Sequence, residues 1–133
     1  MGPSQVIVVD TSAVVAILFR EPEALLFRQA IAENNPWLPG SCFLEAAIAV
    51  RRRGFDSALV EGFLDNSPLR LLGADERQAR IAFEADRRYG RKTGHPARLN
   101  FGDCLAYAAA MAHDAPLLFK GGDFGHTDVK RAV

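Results

Sequence analysis

Four carboxylates stand out by where they fall. Asp10 directly follows Val6-Ile7-Val8-Val9, Glu45 is set among Cys42-Phe43-Leu44 and Ala46-Ala47-Ile48, Asp103 comes three residues after Asn100, and Asp123 lies between Gly122 and Phe124. Asp10 and Asp123 each end or interrupt an apolar run with no cation beside them. Gathered in one place, such acids repel one another, and some take up protons unless a cation neutralises the group. Oxygen-only ligation suits Mg²⁺ or Mn²⁺, whereas zinc or copper calls for imidazole or thiolate. Mg²⁺ binds through few carboxylates plus a substrate phosphate, so the implied chemistry is attack of activated water on a phosphodiester.

Each acid also has a plainer account. Asp103 follows Asn100 in a capping-box spacing, and a carboxylate in a helix's first turn gains about 0.3–1 kcal/mol from the dipole. Glu45 is harder to dismiss, because a surface acid is usually flanked by other polar residues.

The elements that must position these acids can be read from the pattern. Val6 to Val9 reads as a strand buried on both faces. Thr11 or Ser12 is the expected cap of an apolar helix from Ala13 to about Phe19, and a second helix near Pro22 carries Ala24, Phe27 and Ile31 on one stripe. Trp37-Leu38, between prolines, reads as a brief strand before a helix that starts at Gly40-Ser41, contains Glu45 and closes at Arg51 to Gly54. Asp56 caps a short helix through Leu59, Phe63 and Leu64, and Leu69 to Leu72 is a third strand. Asp75 caps a helix packing through Ala79, Ala82 and Phe83 and stopping at Gly90. The segment Arg91 to Arg98 has no periodicity and reads as a mobile loop. Asn100 then caps an alanine-rich helix to about His113, followed by a buried strand at Pro116 to Phe119, the turn Gly121-Gly122, and a last short strand near Val129.

Strands separated by helices imply a parallel sheet covered on both faces, hence an α/β fold with a three-layer α/β/α sandwich. Strand C-termini and the N-termini of the helices that follow share one rim, where ligands of open α/β sheets bind. The four acids fall on that rim.

With 133 residues, a single domain is expected over residues 1–133, with residues 1–5 an appended extension outside the fold. No apolar run reaches membrane-spanning length, and no leader pattern is present, so a cytoplasmic protein without a membrane role is expected. The two cysteines lack zinc-site spacing and read as buried packing residues. Sixteen Lys and Arg balance sixteen Asp and Glu, so no overall positive field announces a nucleic acid. Arg51 to Arg53 end a helix about two turns, roughly 10 Å, from Glu45, and complement its dipole. Arg91, Lys92, His95 and Arg98 lead into the helix of Asp103 and fit a phosphate clamp as well as a solvated loop. The three histidines share no metal-ligand spacing. Tyr107 shares a helix face with Asp103 and reads as a core aromatic.

The residues Val8-Val9-Asp10-Thr11-Ser12-Ala13, Leu44-Glu45-Ala46, Asn100-Phe101-Gly102-Asp103-Cys104 and Leu117 to Phe124 together resemble the PIN-domain ribonucleases, and within them the VapC-type toxins of toxin-antitoxin pairs. The resemblance runs nearly end to end. It implies a Mg²⁺-dependent endoribonuclease, with Mn²⁺ as a substitute, whose four acidic positions are Asp10, Glu45, Asp103 and Asp123. By the same resemblance Asp10 and Asp103 are the principal metal ligands, with Glu45 and Asp123 completing the site. Thr11 would orient Asp10, and Asp128 would add an outer carboxylate. A cognate VapB-type antitoxin, inserting a segment into the toxin groove, and a homodimer are also implied. The helices at Ala13 to Phe19 and Leu59 to Leu64 could supply those surfaces, or simply pack the core.

Two other readings use the same acids. An α/β Mg²⁺-dependent phosphatase also places an aspartate after its first strand, but wants a second two positions on, where Ser12 stands. A non-catalytic protein-binding module would keep the acids only as caps.

Overall fold

The computed structural model describes residues 5–133, and within them β1 (Val6–Val9) is the strand around which the rest is arranged. Ile7, Val8 and Val9 are all buried, and since successive residues point to opposite faces, both faces of β1 are covered. Around it run β2 (Asn35–Pro39), β3 (Arg70–Leu72) and β4 (Leu117–Leu118), all parallel, in the order β3-β2-β1-β4. Six helices cover the sheet: α1 (Thr11–Leu18), α2 (Ala24–Glu33), α3 (Gly40–Arg52), α4 (Ala58–Asp65), α5 (Glu76–Tyr89) and α6 (Phe101–Ala112). The result is the three-layer α/β/α sandwich expected from the alternation. Met1 to Ser4 of the expected extension lie outside the described residues. Gln5 does not stand apart from the fold, because its carbonyl accepts from Asn35 N–H at 2.8 Å and continues the ladder.

Several local expectations need correcting. Helix α1 is capped not by Thr11 or Ser12 but by Asp10 itself, whose carboxylate accepts from Ser12 N–H. Its residues Ala13, Val14, Ala16 and Ile17 are core, so α1 offers no free apolar face there. Helix α4 buries Val60, while Leu59 is 47% exposed. Helix α5 packs through Gln78, Ala82, Ala85 and Tyr89 rather than through Ala79 and Phe83. The two stripes differ by one position of helical phase, and Phe83 is left 66% exposed.

The segment 91–98 is anchored rather than loose. Leu99 N–H donates to Tyr89 O at 2.8 Å, Ala97 is fully buried, and the His95 ring packs edge-on to Tyr89 with Nδ1 accepting from Ala97 N–H. The last strand near Val129 reduces to one parallel bridge between Leu117 and Arg131, held by Leu117 N–H to Lys130 O and Ala132 N–H to Leu117 O. No helix among the described residues is long and apolar enough to cross a membrane.

Candidate active site

Three of the four acids are drawn together by the strand and helix ends at one rim of the sheet. Asp10 ends β1, 5% exposed, with Oδ2 accepting from Ser12 N–H at 3.0 Å and from the Ser12 hydroxyl at 2.6 Å. The Ser12 oxygen in turn accepts from Lys120 N–H at 3.0 Å, just past β4. That contact fixes the hydroxyl's proton toward Asp10, so Ser12 ties the two strand ends into one clamp. The other oxygen, Oδ1, faces Cys42 Sγ at 3.9 Å.

Glu45, half-buried on α3, accepts from the Thr11 hydroxyl at 3.0 Å, and that hydroxyl also lies 3.3 Å from Cys42 O. The Thr11 hydroxyl therefore holds Glu45, while Ser12 orients Asp10 with both its donors and the Thr11 backbone also acts on that carboxylate. A Cβ at Gly102 would fall 2.1 Å from Glu45 Oε2, so α6 can approach this carboxylate only because residue 102 has no side chain.

Asp103 closes a full capping box: its Oδ2 accepts from Asn100 N–H at 3.0 Å while Asn100 Oδ1 accepts from Asp103 N–H at 2.8 Å. The capping account and the site account hold at once, because a carboxylate has lone pairs for both. Asp123 is exposed, beyond a turn that passes through Gly121 at a φ of 101°. Only Asp103 feels its charge appreciably.

Burial raises the pKa of Asp10 against the Ser12 hydrogen bonds that lower it, and the charge of Glu45 raises it further. Glu45 is raised by burial and by Asp103, opposed by Thr11. Asp103 is raised by burial, lowered by Asn100 N–H, raised by Asp10 and Asp123, and lowered by Arg91. The carboxylates thus form one interacting group in which the charge of Arg91 opposes the rise at Asp103. Among the described residues, however, no three His, Cys, Asp or Glu side chains are gathered as a ready-made metal cage. Cys42 and Cys104 are free and buried, with Cys104 raised to about 11.

A carboxylate whose folded pKa exceeds its unfolded one keeps a proton that the unfolded chain has released, so it favours folding at low pH and less as pH rises. For Asp10 the loss begins near the ordinary 3.8 and is complete above its raised folded value. Metal-free protein is therefore expected to melt higher at pH 5 than at pH 8. In Asp10→Asn that difference shrinks; an unchanged pH dependence of the melting temperature in the variant would remove Asp10 as its source.

Asp128 is placed apart from these acids. It accepts from the hydroxyls of Tyr107 and Tyr89 and lies 3.9 Å from Arg88, bracing the C-terminal segment against α5 and α6. Tyr107 is buried and committed to that contact. Arg91 and Lys92 border an open groove with Asn100, whereas Arg98, at a φ of 48°, does not line it. Lys120 turns its ammonium away from Asp10 to Glu21 at 2.8 Å and Glu23 at 3.3 Å.

The PIN domain model matches residues 7–130. Ribonuclease VapC28 of Mycobacterium tuberculosis is 42% identical over 129 residues, covering 95% of this chain and 97% of the relative. The chain belongs to the PIN-domain VapC ribonucleases. Among solved structures, the sarcin-ricin loop cleaving toxin VapC20 of M. tuberculosis superposes with a TM-score of 0.73 at 17% identity, covering 92% of this chain and 95% of that one. VapBC2 of Rickettsia felis, solved with a promoter DNA fragment, gives 0.72 at 16% identity with 96% of each covered. At those identities the likeness shows the fold of this VapC protein and no more.

The spacing of the four acids gives no sign of two neighbours that hold them, Ser12 and Gly102. Ser12 reads as a helix cap within a motif, and Gly102 as part of another. Gly102 did leave a signal, since glycine in the first turn of an otherwise alanine-rich helix is costly unless something approaches closely. Ser12→Ala removes the clamp between Lys120 and Asp10 and one of the carboxylate's two Ser12 hydrogen bonds. RNA cleavage is expected to fall about tenfold, near the ~1.4 kcal/mol of one misheld group, with Ser12→Thr recovering it in steady-state assays.

Proposed function

We propose that this VapC protein is a Mg²⁺-dependent endoribonuclease that hydrolyses RNA phosphodiester bonds at Asp10, Glu45, Asp103 and Asp123, and that a cognate VapB-type antitoxin inhibits it. The observation that carries the reading is the electrostatic coupling of Asp10, Glu45 and Asp103 at one rim, with each pKa pushed up first by burial and further by a neighbouring acid. Their oxygens fit a hard divalent ion, Mg²⁺ or Mn²⁺, better than zinc. Asp10 and Asp103 would hold it, with Glu45 and Asp123 completing the acidic set. A bound ion supplies the charge that neutralises these acids and polarises the scissile phosphate.

The chain's own groups do the rest. Ser12 opposes the burial-driven rise of the Asp10 pKa and fixes the carboxylate in direction, because both Ser12 donors point at one oxygen. Thr11 holds Glu45 by one oxygen and leaves the other free, positioned to take a proton from an attacking water. Arg91 and Lys92 draw the RNA backbone in, with Arg98 farther along the same segment. The antitoxin and a toxin homodimer are proposed from the family relationship.

The test is cleavage of purified RNA by the purified protein, alone and with Mg²⁺, Mn²⁺, Zn²⁺ or EDTA. Cleavage with Mg²⁺ or Mn²⁺ and none in EDTA is expected. Hydrolysis of p-nitrophenyl phosphate without action on RNA would favour the phosphatase, and calorimetry showing no divalent-ion binding would favour a binding module.

A further inference from the structure

Phe101 is the most exposed aromatic of the chain, at 82%, although it opens the helix that carries Asp103 and lies two residues from it. A buried position was open to such a side chain in an apolar chain; a phenyl ring held in water at the edge of an active site has surface to offer. It borders an open groove of about 420 Å³, within the roughly 300–1,000 Å³ of small-ligand sites. The same groove is lined by Arg87, Arg91, Lys92 and Asn100. Arg87 is paired with Glu84 at 3.0 Å, but among the described residues neither Arg91 nor Lys92 has an ion-pair partner. The one acid on the groove, Asp86, has Oδ1 packed over Gly90, 2.5 Å from where a Cβ would stand.

We propose that Phe101 is a stacking platform for an unpaired nucleobase of the RNA substrate, with Arg91 and Lys92 holding the adjoining backbone phosphate beside Asp103. The inference rests on the ribonuclease reading and adds a residue that meets the substrate's base. An aromatic face beside unspent cations is how proteins grip single strands, because every base has a π face and every nucleotide a phosphate. A base within an A-form helix is already stacked on both sides and cannot reach the ring. The groove therefore selects a single-stranded or looped-out nucleotide next to the scissile bond. Its cations distinguish it from the more apolar hollow that also borders Phe101, lined by Ala82, Phe83, Asp86, Cys104 and Leu105, where none stands.

The ring is tested in the Asp10→Asn protein with Mg²⁺, so that RNA is bound without being cut. The probes are fluorescein-labelled 12-residue oligo(U) and oligo(A), and a 12-base-pair RNA duplex, read by anisotropy. Adding Phe101→Ala or Phe101→Leu is expected to weaken both single strands about tenfold, Phe101→Trp to retain them, and the duplex to respond to none of the three. Arg91→Gln should weaken all strands alike and lower the salt slope by about one. In the active protein, Phe101→Ala should raise KM more than it lowers kcat. Leucine binding as well as phenylalanine, or all variants binding alike, overturns the proposal. So does loss of self-association in Phe101→Ala, by light scattering, with RNA binding unchanged, which would give the ring to a protein interface. If the unmodified protein cuts RNA and the Phe101 variants cut it equally, the platform alone fails. If it neither cuts nor binds RNA, the ribonuclease reading fails first.

Discussion

In the Asp10→Asn protein, RNA cleavage is expected to fall at least about a thousandfold, some 4 kcal/mol of transition-state stabilisation, while the metal-free protein becomes more stable at pH 8. The two effects have one cause. Asp10 is almost fully buried, its short side-chain hydrogen bonds come from Ser12, and the charge of Glu45 raises its pKa further. Asparagine keeps an oxygen for the two Ser12 donors and so keeps the cap of α1, but it carries no charge to desolvate. The fold gains what the site loses. Asp103→Asn should behave similarly in activity, since its amide oxygen can still accept from Asn100 N–H, whereas Asp103→Ala would also lose about 1 kcal/mol of helix capping. Urea melts in EDTA at pH 8, beside cleavage assays in Mg²⁺, test both halves. A destabilised Asp10→Asn protein would mean that the buried carboxylate is held by interactions stronger than its burial cost.

Gly102→Ala is the second substitution with a large expected effect, and it should separate activity from stability in the same direction. The added methyl would stand 2.1 Å from Glu45 Oε2 and 2.6 Å from Oε1. Since that group is the far end of a long side chain, Glu45 can swing outward rather than force α3 and α6 apart. Its hydrogen bond from Thr11 is then lost. Alanine also favours helix over glycine by about 1 kcal/mol, which offsets the repacking. Cleavage is expected to drop roughly a hundredfold, in the range found when one preorganised group is removed, with the melting temperature within a few degrees of the parent. A protein that melts far lower would show that Glu45 cannot move and that the two helices part instead.

Much of this architecture was legible because the chain is locally consistent. Val6 to Val9 could hardly be anything but a doubly covered strand, and Asn100 with Asp103 announced both a helix start and an acid at the rim. Patterns of single residues decided less. In α5 the large apolar Phe83 suggests a stripe that the fold does not bury, because the buried ridge runs through Ala82, Ala85, Tyr89 and Gln78, whose amide donates to Gly73 O at 3.0 Å. Size argues for burial only where a partner surface exists. Segment 91–98 looked mobile because it has no periodicity, but its anchors are a backbone bridge and a histidine stacked on a tyrosine, and neither leaves a periodic trace. The contacts of Asp128 with Tyr107 and Tyr89, of Thr11 with Glu45 and of Ser12 with Lys120 join residues far apart in sequence. Spacing locates a rim; it does not say which hydroxyl meets which carboxylate.

The Ser12 clamp also has a consequence in time. The hydroxyl that aligns Asp10 is itself held by the backbone of Lys120, 108 residues later in the chain. Synthesis runs from the first residue to the last, so a growing polypeptide carries Asp10 long before it carries the strand end that sets it. A nascent or prematurely terminated chain that stops short of β4 has an aspartate after its first strand but no aligned carboxylate. The order of the chain thus defers the working geometry of the site until β4 and the residues just past it have been made.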